Sequence, residues 1–412
     1  MSEFIRQSLA RIGAKSKSAF AVLFVTVFLD FLGFSIVLPY LFFYAQSLGA
    51  TPLVYGLLVT SYAFAQFVCA PILGRLSDRY GRRRILLFSL LGSSISYFGF
   101  GIAGTIWLLF LFRILAGSMS ATAPIAQAYV ADTTSEGNER LKYMGLLSAA
   151  FGIGFIIGPA LGGILSNAFG YSIPSFLAAG LALTNLTLAY FRLPESPASQ
   201  EETLQNKRRL GLKVTIGLFK SQRNVLGLIL ILNFITVFAF EFLDISMSPW
   251  LQREFNYGPF EVGLIFFYIG IVLVLTQVVL LPRLSVRRPP ASLAMIGIAA
   301  LSLGYFGMGI SSNVILAMSF GAVLSVGYGL IGPAIATLIS LNAPPHLQGS
   351  TLGVGQSLSS LASVLAPSAA AGVFVFGSSI GVNGLGIVVA AGINALAIPF
   401  LFVARKNGCS GA

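Results

Sequence analysis

The chain has little of the chemistry on which soluble enzymes depend. Its 412 residues include one histidine, two cysteines and 13 acidic residues, and only 9% of the residues are charged. The single histidine, His346, excludes a histidine-based catalytic triad or zinc site. Cys69 lies in a predicted span and Cys409 in the tail, so we expect neither a disulfide between them nor a metal-ligand cluster. A phosphate-binding GxxxxGK(S/T) loop is also missing, so ATP-driven work is not indicated. We predict no enzymatic activity, no bound metal and no cofactor.

Apolar residues are abundant instead, and they make up 56% of the chain. An ordinary soluble domain carries about 25% charged residues. A helix that crosses roughly 30 Å of hydrocarbon needs about 20 mostly apolar residues, and it satisfies its backbone polar groups internally. We therefore predict an all-α membrane protein with twelve transmembrane helices. The predicted spans lie near residues 19–45, 53–74, 85–103, 106–131, 143–166, 172–191, 224–250, 259–281, 291–310, 313–341, 348–376 and 380–403.

A short basic motif occurs twice in the chain. LGRLSDRYGRRR begins at Leu73, LPRLSVRRPP begins at Leu281, and both copies interrupt long apolar runs. This repeat predicts two pseudo-symmetric six-helix bundles. The predicted divisions are a cytoplasmic or interfacial segment at 1–18, an N-terminal bundle at 19–191, a cytoplasmic linker at 192–223, a C-terminal bundle at 224–403 and a cytoplasmic tail at 404–412.

The basic residues fall on one side of the predicted spans. All of them except Arg113 and Arg253 lie in the termini, the linker and the 2–3, 4–5 and 8–9 connections. Because such residues stay on the cytoplasmic side, we predict that both termini are cytoplasmic and that the chain resides in the inner or plasma membrane. The net charge of +12 fits anionic membrane lipid better than nucleic acid, since the charges occupy short turns. We expect a monomer that contacts lipid.

A glycine-rich pattern marks the predicted fifth span. Gly154, Gly158 and Gly162 recur every four residues, and they leave a helix face that a neighbouring helix can approach closely. Pro159 removes a backbone donor and is expected to bend this helix. A lone GxxxG would indicate only generic membrane packing, whereas the full pattern is more specific. The packing motif consists of Gly145, Gly154, Gly158, Pro159, Gly162 and Gly163.

These motifs together resemble the major facilitator superfamily. GRLSDRYGRR, Arg113 early in span four and the Gly-Pro array resemble its three signature motifs, and Asp30-x-x-Gly33 before Pro39 resembles twelve-helix drug:proton antiporters of the tetracycline-efflux type. The second half departs from the pattern, since Val286 replaces the acidic residue of the basic motif. The resemblance implies alternating access of two bundles about a site near the membrane midplane. It also implies a conformational latch, for which a purely topological role of the arginines is the alternative. The latch residues would be Gly74, Asp78, Arg79, Gly81 and Arg82.

Three acidic residues fall within predicted spans, namely Asp30, Glu241 and Asp244. A carboxylate in the bilayer is costly, so it usually faces a cavity on a substrate or proton path. The similar placement of Asp30 and Glu241 in spans one and seven predicts that both face one cavity. Glu241 and Asp244 are neighbours on a helix, and two close carboxylates do not both ionise cheaply, so one is expected to hold a proton. Arg113, the lone intramembrane base, either responds to protonation of Asp30 or forms a structural ion pair with it.

These observations predict a secondary transporter, a proton-coupled antiporter that exports amphiphilic, cationic or zwitterionic small molecules. Asp30, Glu241, Asp244 and Arg113 are the predicted proton-coupling and substrate residues. The alternatives are a proton-coupled transporter of a specific metabolite, sugar or lipid and, least favoured, a membrane receptor or scaffold. A receptor would not need paired intramembrane acids. Further candidates for lining the cavity are Phe34, Asn233, Gln127, Tyr268 and Gln356.

Overall fold

The computed structural model of the chain describes residues 2–134, 138–196, 225–343 and 348–406. These residues form helices joined by short connections, and no β-strand occurs among them. Most of the predicted linker lies outside the described residues, and so do His346 and Cys409.

Fifteen α-helices and one π-helical segment account for the described chain. The helices before the linker are α1 (Ser2–Ser47), α2 (Pro52–Tyr80), α3 (Arg82–Gly101), α4 (Ile106–Met119), α5 (Thr122–Thr133), α6 (Asn138–Phe169) and α7 (Ser172–Arg192). Those after it are α8 (Val225–Phe255), α9 (Pro259–Leu275), the π segment (Thr276–Leu280), α10 (Leu281–Ser285), α11 (Pro290–Gly309), α12 (Val314–Asn342), α13 (Gln348–Ser379), α14 (Leu385–Ala395) and α15 (Ala397–Lys406).

The predicted fold class is confirmed. Within the described residues, 12 helical stretches are long and apolar enough to cross a membrane. Three of these stretches are interrupted helices: α4 with α5, α9 with the π segment and α10, and α14 with α15. Large apolar side chains point outwards, and Trp107 and Ile315 are 78% and 75% exposed. Lipid is the solvent that makes such exposure favourable.

The helix α2 is longer than the sequence predicted. It continues to Tyr80 rather than ending near residue 74, and Gly81 alone separates it from α3. Most of the basic motif is therefore helical and not a turn. Gly81 has a φ of 102°, a conformation that glycine adopts without steric cost. The helix α1 runs unbroken from Ser2 to Ser47 and so includes most of the segment at 1–18, whose cytoplasmic or interfacial location stays a prediction.

Contacts between Cα atoms divide the chain into two compact units. The first comprises Met1–Leu41 and Phe64–Gln205, and the second comprises Phe42–Ala63 and Asn206–Ala412. The end of α1 and the first part of α2 therefore group with the second unit. The two six-helix bundles at 19–191 and 224–403 stay a prediction.

The core of the first unit is formed by α1, α2, α3, α5, α6 and α7. Leu23 and Leu90 have no exposed surface there, and Ile125 is 1% exposed. One buried hydrogen bond accompanies this apolar packing: the side-chain amide of Asn185 donates to the carbonyl of Thr26 at 2.9 Å. This bond joins α7 to α1 in a buried position, where a hydrogen bond has no competition from water.

Glycines set the separation of α11 and α12 in the second unit. A Cβ at Gly304 would lie 2.7 Å from the backbone of Leu324, and one at Gly327 would lie 2.6 Å from the backbone nitrogen of Leu301. The two helices are therefore in backbone contact, as small residues permit in membrane proteins. Elsewhere in this unit α8 packs against α13 and α14.

Candidate functional site

The three intramembrane acids are half-buried side chains on spanning helices. Asp30 belongs to α1, and Glu241 and Asp244 belong to α8. Each residue retains some accessible surface although its helix is otherwise apolar and packed. This is the arrangement expected of an acid that faces a cavity rather than lipid. That Asp30 and Glu241 share one cavity stays a prediction.

Asp30 lies where α1, α5 and α6 come together. The Thr122 hydroxyl of α5 is next to its carboxyl. On α6, a Cβ at Gly154 would lie 3.0 Å from the backbone nitrogen of Leu32 and 3.1 Å from the carbonyl of Phe28. The backbone of α6 thus approaches α1 on both sides of Asp30 along the sequence. A close backbone contact of this kind holds the acid in a fixed position.

The glycine motif continues this contact along α6. A Cβ at Gly158 would overlap the Ser35 hydroxyl, and one at Gly162 would overlap the Ile36 carbonyl. Ser35 also donates to the carbonyl of Gly154 at 2.9 Å. Three motif members therefore pack against α1. The others differ: Pro159 lies inside α6 without ending it, Gly163 is buried, and Gly145 is exposed, with no atom within 4 Å of the place that a Cβ would take.

Glu241 and Asp244 belong to a polar cluster within the second unit. Glu241 accepts a hydrogen bond of 2.6 Å from the Ser363 hydroxyl of α13. The two acids lie within electrostatic range of each other. Tyr328 of α12 lies within range of both, and its ring stacks on Phe240 with centroids 4.3 Å apart. The side chains of this cluster thus come from α8, α12 and α13.

The remaining predicted cavity residues have varied surroundings. Asn233 donates to the carbonyl of Gly355 at 3.1 Å and to the Ser359 hydroxyl at 2.9 Å, so its amide links α8 to α13. The Tyr268 hydroxyl donates to the carbonyl of Met318 at 3.3 Å. Phe34 is half-buried, whereas Gln127 and Gln356 are exposed. Arg113 of α4 is 3% exposed, and its pairing with Asp30 stays a prediction.

Arg82 is the centre of an ionic cluster at the 2–3 connection. Its Nη1 lies 2.5 Å from Oδ1 of Asp78, and its Nε lies 2.9 Å from Oδ2 of Asp132. Nη1 also donates to the Ser77 hydroxyl at 2.8 Å. A single guanidinium thereby joins the end of α2, the start of α3 and the end of α5. Its planar fork of donors suits two carboxylates at once.

The other predicted latch residues do not enter this cluster. Arg79 is exposed, and its guanidinium lies over the ring of Tyr80 at 5.3 Å. Gly74 faces open space, since a Cβ at that position would have no atom within 4 Å. Of the predicted set, Asp78, Gly81 and Arg82 therefore meet at the connection, and Gly74 and Arg79 lie apart from it.

Glu195 is a further acid at the same connection. Its Oε1 accepts a hydrogen bond of 2.9 Å from the backbone N–H of Arg83, in the first turn of α3. A Cβ at Gly81 would lie 2.7 Å from its carboxyl carbon. The Tyr129 hydroxyl holds the preceding residue by donating to the Pro194 carbonyl at 3.1 Å. Glu195 therefore caps the N-terminus of α3 although it lies far from that helix in the sequence. Its negative charge interacts favourably with the positive end of the helix dipole.

Sequence reasoning did not find several of these residues. Asp132 was visible only as an acid at the end of a span, and Glu195 only as part of the linker. Ser363 carried no signal, because a serine in a membrane helix is common and its partner Glu241 lies 122 residues away. Tyr328 was one of 14 tyrosines in the chain. Their contacts follow from helix packing, which the linear pattern does not specify.

Comparisons with known proteins agree with this fold. The model of the Major Facilitator Superfamily matches residues 23–367. Tetracycline resistance protein, class C, of Escherichia coli is 32% identical over 398 residues, which cover 94% of this chain and 97% of that protein. Multidrug resistance protein 2 of Bacillus subtilis (strain 168) is 27% identical over 354 residues, which cover 86% of this chain and 88% of that protein.

Solved structures show the same architecture. A bacterial homologue of the human lysosomal transporter Spinster, in an inward-facing and unoccupied conformation, superposes with a TM-score of 0.78 at 15% identity, covering 95% of this chain and 97% of that one. The human organic anion transporter MFSD10 (TETRAN) superposes with a TM-score of 0.68 at 20% identity, covering 94% of this chain and 99% of that one. At these identities the likeness concerns the fold alone. The family match and the nearly full-length relative together show that the chain belongs to the Major Facilitator Superfamily.

Proposed function

We propose that this chain is a proton-coupled antiporter that exports amphiphilic, cationic or zwitterionic small molecules. The observation that carries the proposal is the half-burial of Asp30, Glu241 and Asp244 within otherwise apolar spanning helices. Two of the relatives are named for tetracycline resistance and multidrug resistance, which supports efflux of drug-like compounds. A monomer in the inner or plasma membrane, with both termini in the cytoplasm, is part of the same proposal.

The exchange follows from the cost of charge in a medium of low dielectric. A carboxyl that faces a cavity within the membrane is favoured when it holds a proton or pairs with a cation. Arrival of a cationic group at Asp30 would release the proton, and return of the proton would displace the cation. At Glu241 and Asp244, mutual repulsion of the two acids adds to this preference. One site that holds proton or substrate, but not both, gives antiport.

Contacts within the second unit support a gate at the ends of the helices remote from the basic motif. The amides of Gln46 in α1 and Gln252 in α8 exchange two hydrogen bonds, of 2.7 and 3.3 Å. Thr60 of α2 and Ser368 of α13 share a hydrogen bond of 2.8 Å. A Cβ at Gly56 would lie 2.9 Å from the carbonyl of Pro367. Alternating access requires these neutral contacts to part when the substrate leaves.

The test uses purified protein in liposomes with an imposed pH gradient and tetracycline as the probe. Asp30→Asn and Glu241→Gln should reduce pH-driven accumulation to the level of protein-free liposomes, because a neutral amide cannot carry the proton. Glu254→Gln serves as the matched control, since this exposed acid at the end of α8 bonds to Asn383. Adding tetracycline to the unmodified protein should also release protons. Gradient-driven accumulation by the Asp30→Asn/Glu241→Gln double variant would refute the proposal.

A further inference from the structure

A row of polar contacts joins α8 to α13, and Glu241 lies at one end of it. The side-chain amide of Asn233 donates to the Gly355 carbonyl at 3.1 Å and to the Ser359 hydroxyl at 2.9 Å. About two turns further along, the Ser363 hydroxyl donates to Oε1 of Glu241 at 2.6 Å. Asn233 and Gly355 are 122 residues apart, and so are Glu241 and Ser363. The two helices are therefore parallel and in register along this row.

The Ser363 hydroxyl has two acceptors within reach. Its oxygen lies 2.6 Å from Oε1 of Glu241 and 3.3 Å from the carbonyl of Ser359, one turn earlier in α13. The shorter distance is typical of a hydroxyl that donates to a charged carboxylate. A hydroxyl carries a single proton, so it serves one acceptor fully at a time. The second acceptor is itself held in place, because Asn233 of α8 binds both Gly355 and Ser359.

A hydroxyl suits an acid that alternates between two forms. A charged carboxylate only accepts hydrogen bonds, whereas the protonated acid also donates one. A cation or a backbone N–H would favour only the charged form, and a carbonyl would favour only the neutral form. A hydroxyl can donate to the first form and accept from the second. Ser363 is thus a partner for both forms of Glu241, and neither helix has to move.

We propose that Ser363 is a positioning residue for proton exchange at Glu241, and this rests on the proposed function of that acid. While Glu241 is charged, the Ser363 hydroxyl donates to its carboxylate. When Glu241 holds a proton, the acid donates to the Ser363 oxygen, and the proton of the serine turns to the Ser359 carbonyl. Ser363 keeps its own proton in both states. The carboxyl therefore stays at the contact with α13 while its charge changes, and a substrate cation meets it in one place.

Ser363→Ala tests the proposal by removing only the hydroxyl. The infrared carbonyl band of protonated Glu241, identified by its disappearance in Glu241→Gln, should move to higher wavenumber, because the acid loses the oxygen to which it donates. The initial rate of pH-driven tetracycline accumulation should fall about tenfold, since a hydrogen bond to a charged group favours the charged form by about that factor. Ser363→Thr keeps a hydroxyl and should restore both the band and the rate. Ser363→Cys, whose thiol bonds weakly, should give an intermediate band.

Ser357→Ala is the matched control, since this exposed serine of α13 donates to the Gly353 carbonyl of its own helix at 3.0 Å. It should leave the band and the rate unchanged. An unchanged Glu241 band in Ser363→Ala would overturn the inference, and so would a shifted band with full transport or one that Ser363→Thr does not restore.

The same spectra separate this inference from the proposed function. A band that shifts in Ser363→Ala and returns in Ser363→Thr, in a protein that shows no pH-driven transport even before substitution, would support the role of the hydroxyl at Glu241 and refute the antiporter assignment. The two ideas therefore fail separately.

Discussion

Replacement of Gly158 by alanine should separate α6 from α1. A Cβ there would lie 2.9 Å from the Cβ of Ser35 and 3.0 Å from the backbone nitrogen of Ile36. Carbon atoms in good contact lie about 3.5–4.0 Å apart, so the helices must move apart by roughly 0.5–1 Å. A gap of that size forfeits about a quarter to a half of the dispersion attraction along the contact.

A hydrogen bond is lost in the same step. Rotation of Ser35 away from the new methyl group breaks its bond to the Gly154 carbonyl, which contributes about 1 kcal/mol. Overpacking a close contact costs about 1–3 kcal/mol, and alanine returns about 0.5–1 kcal/mol in helix propensity. We therefore expect Gly158→Ala to lower the free energy of unfolding by about 2 kcal/mol net. Tetracycline transport should fall with it, because Asp30 lies on the displaced stretch of α1.

The motif supplies its own control in Gly145. No atom lies within 4 Å of a Cβ at that position, so Gly145→Ala should be neutral or stabilise by about 0.5–1 kcal/mol. Both variants are measured by denaturant unfolding in one detergent and by transport in liposomes. Equal stability and equal transport of the two variants would refute the reasoning that α6 and α1 are in backbone contact.

Two further predictions concern the ends of the helices. Gly81→Ala should lower the free energy of unfolding by about 1–2 kcal/mol, because φ of 102° is strained for alanine and the methyl group would displace Glu195. The control Gly74→Ala should leave the free energy of unfolding unchanged, because the space around Gly74 is open. Equal unfolding curves for the two variants would contradict the capping role of Glu195. Gln46→Cys/Gln252→Cys, in a chain without its two native cysteines, should be joined by a bifunctional maleimide with loss of tetracycline transport. Each single variant should keep transport after the same treatment, and full transport by the cross-linked form would rule out a gate at this contact.

The sequence predicted much of the fold because hydrophobic length is a local property. Each span is defined by its own run of apolar residues, and the predicted break between the spans at 85–103 and 106–131 falls where α3 ends and α4 begins. The end of α2 was placed too early, since charge was taken to mark a turn. In fact Asp78 and Arg82, four residues apart, form an ion pair across the Gly81 connection.

The candidate site was predictable only in part. Asp30, Glu241 and Asp244 were conspicuous because charge is rare in this chain. Their neighbours were not, since Thr122 and Ser363 are ordinary residues until helix packing brings them to a carboxyl. Composition therefore identifies the intramembrane acids. The hydroxyl next to each acid depends on which helix packs against it, and composition does not contain that information.

The π segment changes the meaning of the repeated basic motif. In the first copy, α2 remains α-helical from Pro52 to Tyr80, whereas in the second copy Pro282 takes the place of Gly74 and Thr276–Leu280 is π-helical. Proline withholds a backbone donor, and a π turn takes one more residue than an α turn. The stretch from Pro259 to Leu281 is one residue longer than the stretch from Pro52 to Leu73, and the π segment takes up that extra residue. The duplication therefore survives an added residue because the helix before the motif, and not the motif itself, accommodates it.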